Sequence, residues 1–263
     1  MKIALFSDIH ANLPALRAFF EDVDKRETDA IYCLGDLVGY NIWPNEVIEE
    51  IRKRKIPTIA GNYDFGIGRK SDDCGCAYKT DKEKANGAVS ISLTNELVND
   101  KNRAYLRTLP AHIKLEFQLN EDQLNVLLVH GSPRKINEYL FEDRAEKSMI
   151  RIMEQADADI MCFGHTHKPY HRIFSAEDKG SAEDKSTSRF RHAINLGSVG
   201  KPKDKDTRGT YVILDIEENA SVYDKNSISV EFVKFEYDIE EAAKAVEESI
   251  LPNDYAENLR NGF

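Results

Sequence analysis

The sequence predicts an α/β protein in which two β-sheets pack face to face with helices outside them. Three observations carry this. Apolar strands alternate with amphipathic helices over the first sixty residues. The pattern turns mostly β after residue 170. No Pro/Gly/Ser-rich linker divides the 263 residues, so positions 1–263 read as one domain. A parallel βαβ half followed by an antiparallel half suggests two sheets.

The elements follow in order. Residues 2–7 (KIALFS) read as a strand. Residues 13–26 read as a helix: Asn12 is a plausible N-cap, Pro14 stands near the first helical position, and Leu13, Leu16, Phe19, Phe20 and Val23 recur at helical spacing. Residues 30–34 (AIYCL) form a second strand, and Pro44 opens a second helix carrying Val47, Ile48 and Ile51. Residues 56–60 (IPTIA) are expected to be a third strand, completing a βαβαβ run with right-handed connections.

Residues 65–110 break the rhythm. A Gly- and Asp-rich loop holding Cys74-Gly75-Cys76 is followed by helices over 82–98 and 101–108, the second stopped by Pro110. We read this as a helical insertion over one end of the sheet. Residues 112–118 and 123–129 read as a hairpin whose second arm, QLNVLLV, is apolar and central. A helix near 142–156 leads to the strand DIMCF. Later strands are expected at 170–174, 189–196, 209–216 and 227–237, and helices at 239–249 and 254–261. SAEDK occurs at 175 and again at 181, in a polar stretch that reads as a solvated hairpin loop.

Composition narrows the function. A net charge of -10 argues against general binding to nucleic acid or anionic membranes, since both need a basic face. A phosphorylated small molecule stays open, because a bound metal inverts the local potential. The N-terminal apolar run is too short for a signal peptide core, and no stretch is long enough to span a bilayer. The expected location is cytoplasmic, and a homo-oligomer is compatible with the sequence. Cys33 and Cys162 lie inside apolar runs and read as small core residues. Cys74-Gly75-Cys76 lacks a second pair nearby and reads as loop packing or part of a substrate mouth.

Chemistry gathers at the expected strand ends. Asp8 and His10 follow the first strand, Asp36 the second, Asn62 the third, His130 the run NVLLV, and His165 and His167 the run DIMCF. Ligands of open α/β sheets bind at the carboxyl ends of strands, so these groups should converge. Each piece alone is an ordinary turn or a hydrogen-bonded core histidine; jointly they are hard to dismiss. The set holds carboxylates, imidazoles and a carboxamide but no thiolate, which suits Mn, Fe, Zn, Co or Ni. Seven side chains exceed the needs of one ion and fit two ions, divalent or trivalent, with Asp36 as the natural bridge. Two ions about 3.5–4 Å apart form a clamp for in-line attack on phosphorus by a bridging hydroxide.

DIH, GD, GN, HG and GHTH, in this order, resemble the calcineurin-like metallophosphoesterases. The likeness spans about residues 1–215 and is greatest to the branch of YfcE-like phosphodiesterases and diadenosine tetraphosphatase-like proteins. It implies a four-layer αββα double β-sandwich. It also implies that Asp8, His10 and His167 hold one metal, that Asn62, His130 and His165 hold the other, and that Asp36 bridges them. INLGSVG (194–200) is similar to a structural stretch of this branch. Many relatives read Gly-Asn-His-Asp where this chain has Gly61-Asn62-Tyr63-Asp64, and that histidine is taken to assist the leaving group. A tyrosine near its ordinary pKa of ~10 is a poor general acid at neutral pH. Tyr63 is therefore a candidate catalytic or substrate-binding residue whose presence favours aryl esters, diesters or phosphoanhydrides over alkyl monoesters. The alternative for Tyr63 is packing against the insertion.

Asn12, Tyr40 and Ser132 sit just beyond ligand motifs and are candidates to touch phosphate. His171 is a candidate to support the ligands, His112 and His192 read as structural or exposed, and Arg69, Lys70 and Lys79 read as a solvated face. The expected function is a dinuclear-metal phosphoesterase for a nucleotide-like or phosphodiester substrate. The alternatives are a protein Ser/Thr phosphatase and a non-catalytic scaffold of the same fold.

Overall fold

The computed structural model describes residues 1–120, 123–177 and 188–263. β1 (Lys2–Phe6), α1 (Leu13–Val23), β2 (Ala30–Cys33) and α2 (Pro44–Lys53) open the chain in the expected βαβα order. α1 starts where Asn12 accepts the Ala15 N–H (3.1 Å) and Pro stands in the first turn.

The expected third strand does not form as a ladder. Within 56–60 only Thr58 bridges β2, through Cys33. The Cys33 N–H donates to the Pro57 carbonyl (3.0 Å) and the Ile59 N–H to the Cys33 carbonyl (3.0 Å). Pro57 has no N–H to extend the ladder, and the Ala60 N–H turns away to Pro110. A second correction follows at once. Residues expected as a Gly- and Asp-rich loop begin with a helix, α3 (Asn62–Gly68), because the Asp64 carboxylate in its first turn takes the Gly61 N–H (2.9 Å).

α4 (Asp81–Leu97) and α5 (Asp100–Leu106) form the predicted helical insertion. Buried Arg103 joins it to α3 by donating to the carbonyls of Ile67, Asn95 and Val98. β3 (His112–Gln118) and β4 (Gln123–Val129) make the hairpin at the expected bounds. α6 (Glu146–Gln155) and β5 (Ile160–Phe163) follow. β6 (Tyr170–Glu177) and β7 (Ser188–Asn195) pair antiparallel, with Glu177 opposite Ser188. Of the hairpin loop expected over 175–188, residues 175–177 and 188 instead belong to these strands, and 178–187 lie outside the described residues. β8 (Gly209–Ile216), β9 (Ile228–Phe235), α7 (Ile239–Glu247) and α8 (Asp254–Asn261) complete the chain.

The strands form two sheets, β2-β1-β8-β9 and β3-β4-β5-β7-β6. Parallel and antiparallel pairs occur in both, so the two halves of the sequence do not map one to each sheet. Ile3, Leu5, Val212 and Leu214 of the first sheet pack on Val126, Leu128, Cys162 and Ile194 of the second. Helices cover the outer face of the first sheet, α1 through Leu16 and Phe19, α2 through Ile48 and Ile51, and α7 through Val246. α6 covers the second through Met149 and Met153. This is the expected four-layer double β-sandwich. Among the described residues no helix is long and apolar enough to cross a membrane.

The ends of β1, β2, β4 and β5 meet at one edge of this sandwich. Their turns touch backbone to backbone. A Cβ on Gly35, whose φ is +87°, would lie 2.2 Å from the Gly61 nitrogen. Gly35→Ala therefore combines a steric clash with an unfavourable φ, and we expect it to lower stability by about 2 kcal/mol or more. Urea unfolding measures this; an unchanged midpoint would mean that the two turns do not pack in this way.

Candidate metal centre

Each ligand candidate stands just past a strand end. Asp8 and His10 follow β1, Asp36 follows β2, His130 follows β4, and His165 and His167 follow β5. Asn62 instead opens α3 after the Thr58 bridge. Five of these seven residues, Asp8, His10, Asp36, His165 and His167, adopt left-handed backbone with φ between 51° and 65°. Non-glycine residues there carry strain of about 1 kcal/mol or more each. The tight loops tolerate it because their peptide groups bond to one another: the Asp8 N–H reaches Gly35, His10 reaches Asp36, and Gly164 reaches His130 (each 2.9 Å).

The side chains converge into two buried groups, Asp8/His10/His167 and Asp36/His130/His165. Asp36 Oδ2 lies 3.3 Å from His130 Nε2 and 3.6 Å from His10 Nε2, so it reaches both. Asp8 Oδ1 lies 3.2 Å from His167 Nε2. Asn62 Oδ1 lies 3.1 Å from His130 Nε2, its amide held the other way by donation to the Cys74 carbonyl (2.8 Å).

Proton bookkeeping shows what this geometry needs. His10 Nδ1 donates to the Val38 carbonyl (3.0 Å), His130 Nδ1 to Leu34 (2.8 Å) and His167 Nδ1 to Lys201 (2.5 Å). A carbonyl only accepts, so in the neutral rings the proton is on Nδ1 and the lone pair on Nε2. Yet His10 Nε2 and His167 Nε2 are 3.1 Å apart. Two lone pairs at that distance repel unless a cation lies between or beside them. Asp8 Oδ1 and His165 Nε2 are also buried with no hydrogen-bond partner among the described residues. These orphan atoms and facing lone pairs fit a pair of transition-metal ions bound by N and O donors.

The protonation states agree. Burial lowers His10 and His165 to about 3, leaving their lone pairs free for a metal. Burial likewise lowers His167. Burial also opposes charge on His130, but Asp36 and then Asp8 beside it lift it to about 10. Burial would raise both carboxylates; His167 at Asp8 and His130 at Asp36 outweigh it and hold them low.

Asp64 had no assigned role in the sequence. It is fully buried and orients the bridge: its carboxylate accepts the N–H groups of Asp36 (2.7 Å), Leu37 (2.9 Å) and Gly61 (2.9 Å). Burial and the nearby Asp36 raise its pKa to about 7. The Asp36 carboxylate is further fixed by the Tyr63 N–H (2.8 Å). Ser7 and the His165 N–H bond Asp8 Oδ2 (2.6 and 3.0 Å). Tyr139, also without a prior role, lays its ring 4.1 Å from the His165 ring.

The structure separates the other candidates. Tyr40 lies at the centre, its ring 4.8 Å from His10 and its hydroxyl 3.7 Å from the Cys76 sulfur. The Tyr63 side chain is wholly buried between Tyr40 and Gly39. Among the described residues its hydroxyl has no hydrogen-bond partner, and burial, then Tyr40, push its pKa well above 10. Asn12 uses its carbonyl to cap α1 and its amide to bond the Gly200 carbonyl (2.9 Å). Ser132 donates to Glu138 (2.5 Å) and shapes its own loop. His171 pairs with His192 (3.0 Å) on neighbouring strands, away from the ligands. Arg69, Lys70 and Lys79 are exposed, as is His112. All four cysteines are free, and Cys74 and Cys76 meet Asn62 through a carbonyl and a thiol.

Residues 1–219 match the calcineurin-like phosphoesterase superfamily domain. The chain belongs to this superfamily. An uncharacterized protein of Methanocaldococcus jannaschii is 31% identical, over 98% of this chain and 96% of its own. A metallophosphoesterase structure from Sphaerobacter thermophilus is 27% identical with a TM-score of 0.71, covering 100% of this chain and 99% of its own. A hypothetical protein from Pyrococcus horikoshii OT3, 22% identical, shares the fold with a TM-score of 0.74 over 100% of this chain and 98% of its own.

Two outcomes are expected. Below a pKa of about 10 the metal-free centre carries a proton on His130 that a metal must displace. Apparent metal affinity should therefore rise with pH between 6 and 9, with about one proton released on loading. Calorimetry in buffers of different protonation enthalpy counts it; affinity independent of pH would exclude His130 as a ligand. Asp64→Asn replaces an acceptor oxygen by an NH₂ group facing backbone N–H. It should cost about 2 kcal/mol of stability and at least about tenfold in metal affinity, read by urea unfolding and metal titration.

Proposed function

We propose that the chain hydrolyses phosphodiesters or phosphoanhydrides at a dinuclear metal centre, by in-line attack of water on phosphorus. The observation that supports this most is Asp36 Oδ2, within 3.6 Å of a histidine from each ligand group, as a shared ligand requires. When bound, two ions supply Lewis-acid polarisation of phosphoryl oxygens and a nucleophilic hydroxide at neutral pH. Asp8, His10 and His167 would hold one ion, Asn62, His130 and His165 would hold the other, and Asp36 would be shared between them. The metal is of the Mn, Fe, Zn, Ni or Co type, given the absence of a thiolate from either group.

The chain's own side chains add orientation rather than acid. We assign Tyr63 a packing role, since its hydroxyl is buried among Tyr40, Tyr78 and Cys76 and ionises only far above neutrality. Without an acid at that position, leaving groups that depart as stable anions are favoured. Tyr139 and Phe141 stack at 13° and 5.6 Å, and Phe141 is 45% exposed. This flat shelf beside His165 suits an aryl or nucleobase group on the substrate. The scaffold alternative is disfavoured by a complete ligand set with unsatisfied donor atoms.

The test is a metal-reconstituted panel of bis-aryl phosphate, aryl and alkyl monophosphates, cyclic nucleotides and dinucleoside polyphosphates. Aryl diesters and anhydrides should exceed alkyl monoesters. Equal rates on alkyl monoesters would sink the leaving-group argument. Asp36→Asn should lose about 100-fold or more on every active substrate. Tyr63→Phe should stay within about threefold of wild type, because the ring keeps its packing between Tyr40 and Gly39. A larger loss would return Tyr63 to the chemistry.

A further inference from the structure

Two lysines stand at the His167 side of the centre without an anion of their own. Both lie on the loop after β7, in Gly200-Lys201-Pro202-Lys203. That loop is fastened to the first ligand group. The Gly200 N–H (3.1 Å) and the Ser198 hydroxyl (2.7 Å) donate to the Asp8 carbonyl. The Lys201 N–H donates to Ser198 Oγ (2.8 Å), and the Lys203 N–H to the His167 carbonyl (3.3 Å). His167 Nδ1 donates back to the Lys201 carbonyl (2.5 Å). Backbone bonds therefore set where these side chains start relative to the ligands.

Lys201 is only 6% exposed. Its ammonium lies 4.9 Å from the Tyr40 ring centre and 5.7 Å from that of Tyr255, and among the described residues no carboxylate pairs with it. Lys203 is partly buried and likewise makes no ion pair among the described residues, although it feels the fields of Asp8, Asp36, Cys76 and Glu83. The bonds from the Lys203 N–H to the His167 carbonyl and from the His167 ring to the Lys201 carbonyl keep this stretch beside the centre. Two other sheltered cations have carboxylates, Lys234 with Asp204 and Asp206, and Arg189 with Asp159, while buried Arg103 is met by the carbonyls of Ile67, Asn95 and Val98. Burying an ammonium without an anion is unfavourable, and two ring faces offset it only in part.

We propose that Lys201 and Lys203 form a subsite for a second phosphoryl group, linked to the one attacked at the metals. This rests on the phosphoesterase reading and names its substrate class: a phosphoanhydride with at least two linked phosphoryl groups. Lysine is a compact donor of several hydrogen bonds, suited to a phosphate's multiple oxygens. The subsite also serves the leaving group. Water's oxygen bonds to the attacked phosphorus, and the bridging P–O bond breaks with its electron pair on the departing phosphate. Water's proton goes to solvent. The departing anion is met by the N–H donors of two lysine side chains and needs no acid from position 63. Tyr40, whose ring lies against both His10 and Lys201, joins the two halves of the site.

The test compares full-length wild type, Lys201→Met, Lys203→Met and Lys203→Arg, each loaded with Mn and its metal content checked after titration. Calorimetry measures methylenebisphosphonate, which cannot be hydrolysed at its bridge, against methylphosphonate. Wild type should bind the bisphosphonate about tenfold or more tighter, and each Met variant should lose most of that preference. Lys203→Arg should keep it, and methylphosphonate affinity should hardly change. In turnover, the Met variants should raise KM for a nucleoside diphosphate several-fold more than KM for bis(4-nitrophenyl) phosphate. An unchanged preference, or equal loss on both phosphonates, overturns the subsite. If Lys201→Met does not fold, Lys203→Met decides alone. Absence of turnover by wild type on every substrate would instead reject the phosphoesterase reading, while the binding comparison still reads the lysines.

Discussion

Everything in this molecule that bears on chemistry follows from one electrostatic constraint: imidazole lone pairs and carboxylate oxygens forced together out of water. Three histidines are turned by backbone carbonyls so that Nδ1 keeps the proton. Their Nε2 atoms then face each other and the two aspartates, with each of these residues at most 3% exposed. Such an arrangement is unfavourable without positive charge and strongly favourable with it. A proton on His130 meets part of the demand. Metal ions meet all of it, which is why the strand ends, the glycine turns and the Asp64 carboxylate all serve to hold the donors in place.

The layers of the sandwich do the holding. The parallel pairs β1/β2 and β4/β5 bring six ligands from positions 8 to 167 to one edge, and Gly35 and Gly61 let the turn after β2 touch the start of α3. Asp64 ties the bridge-bearing turn to the start of α3. The insertion reaches the same centre through the Cys74 carbonyl on the Asn62 amide. The ligand shell is thus supported from several elements distant in sequence, so damage to any one turn is felt by both halves of the site.

Legibility in the sequence followed the range of the forces involved. The hairpin 112–118/123–129, the strand at 209–216 and the helix at 254–261 have the bounds that periodicity predicts, because their patterns are local. The ligand candidates were readable since each sits beside a turn signal after an apolar run. The strand expected at 56–60 failed on a single missing N–H at Pro57, and α3 was hidden because its glycines mask a helix start made by Asp64. Asp64 itself serves N–H groups as far as 28 positions away, and Lys201 is sheltered by Tyr40 and Tyr255. Nothing within a local window marks either residue, whose significance exists only after folding.

The left-handed backbone of five ligands carries a consequence for how shape and chemistry are linked. Among residues with a side chain, aspartate, asparagine and histidine are the types that enter this conformation most readily. Ligand chemistry and backbone comfort therefore coincide at Asp8, His10, Asp36, His165 and His167. Asparagine or glycine at these places would suit the left-handed backbone while removing the charge or the imidazole. Backbone comfort at these five turns therefore does not depend on the donors being metal ligands, so the shape of the sandwich and the chemistry at its edge are separable properties of the sequence.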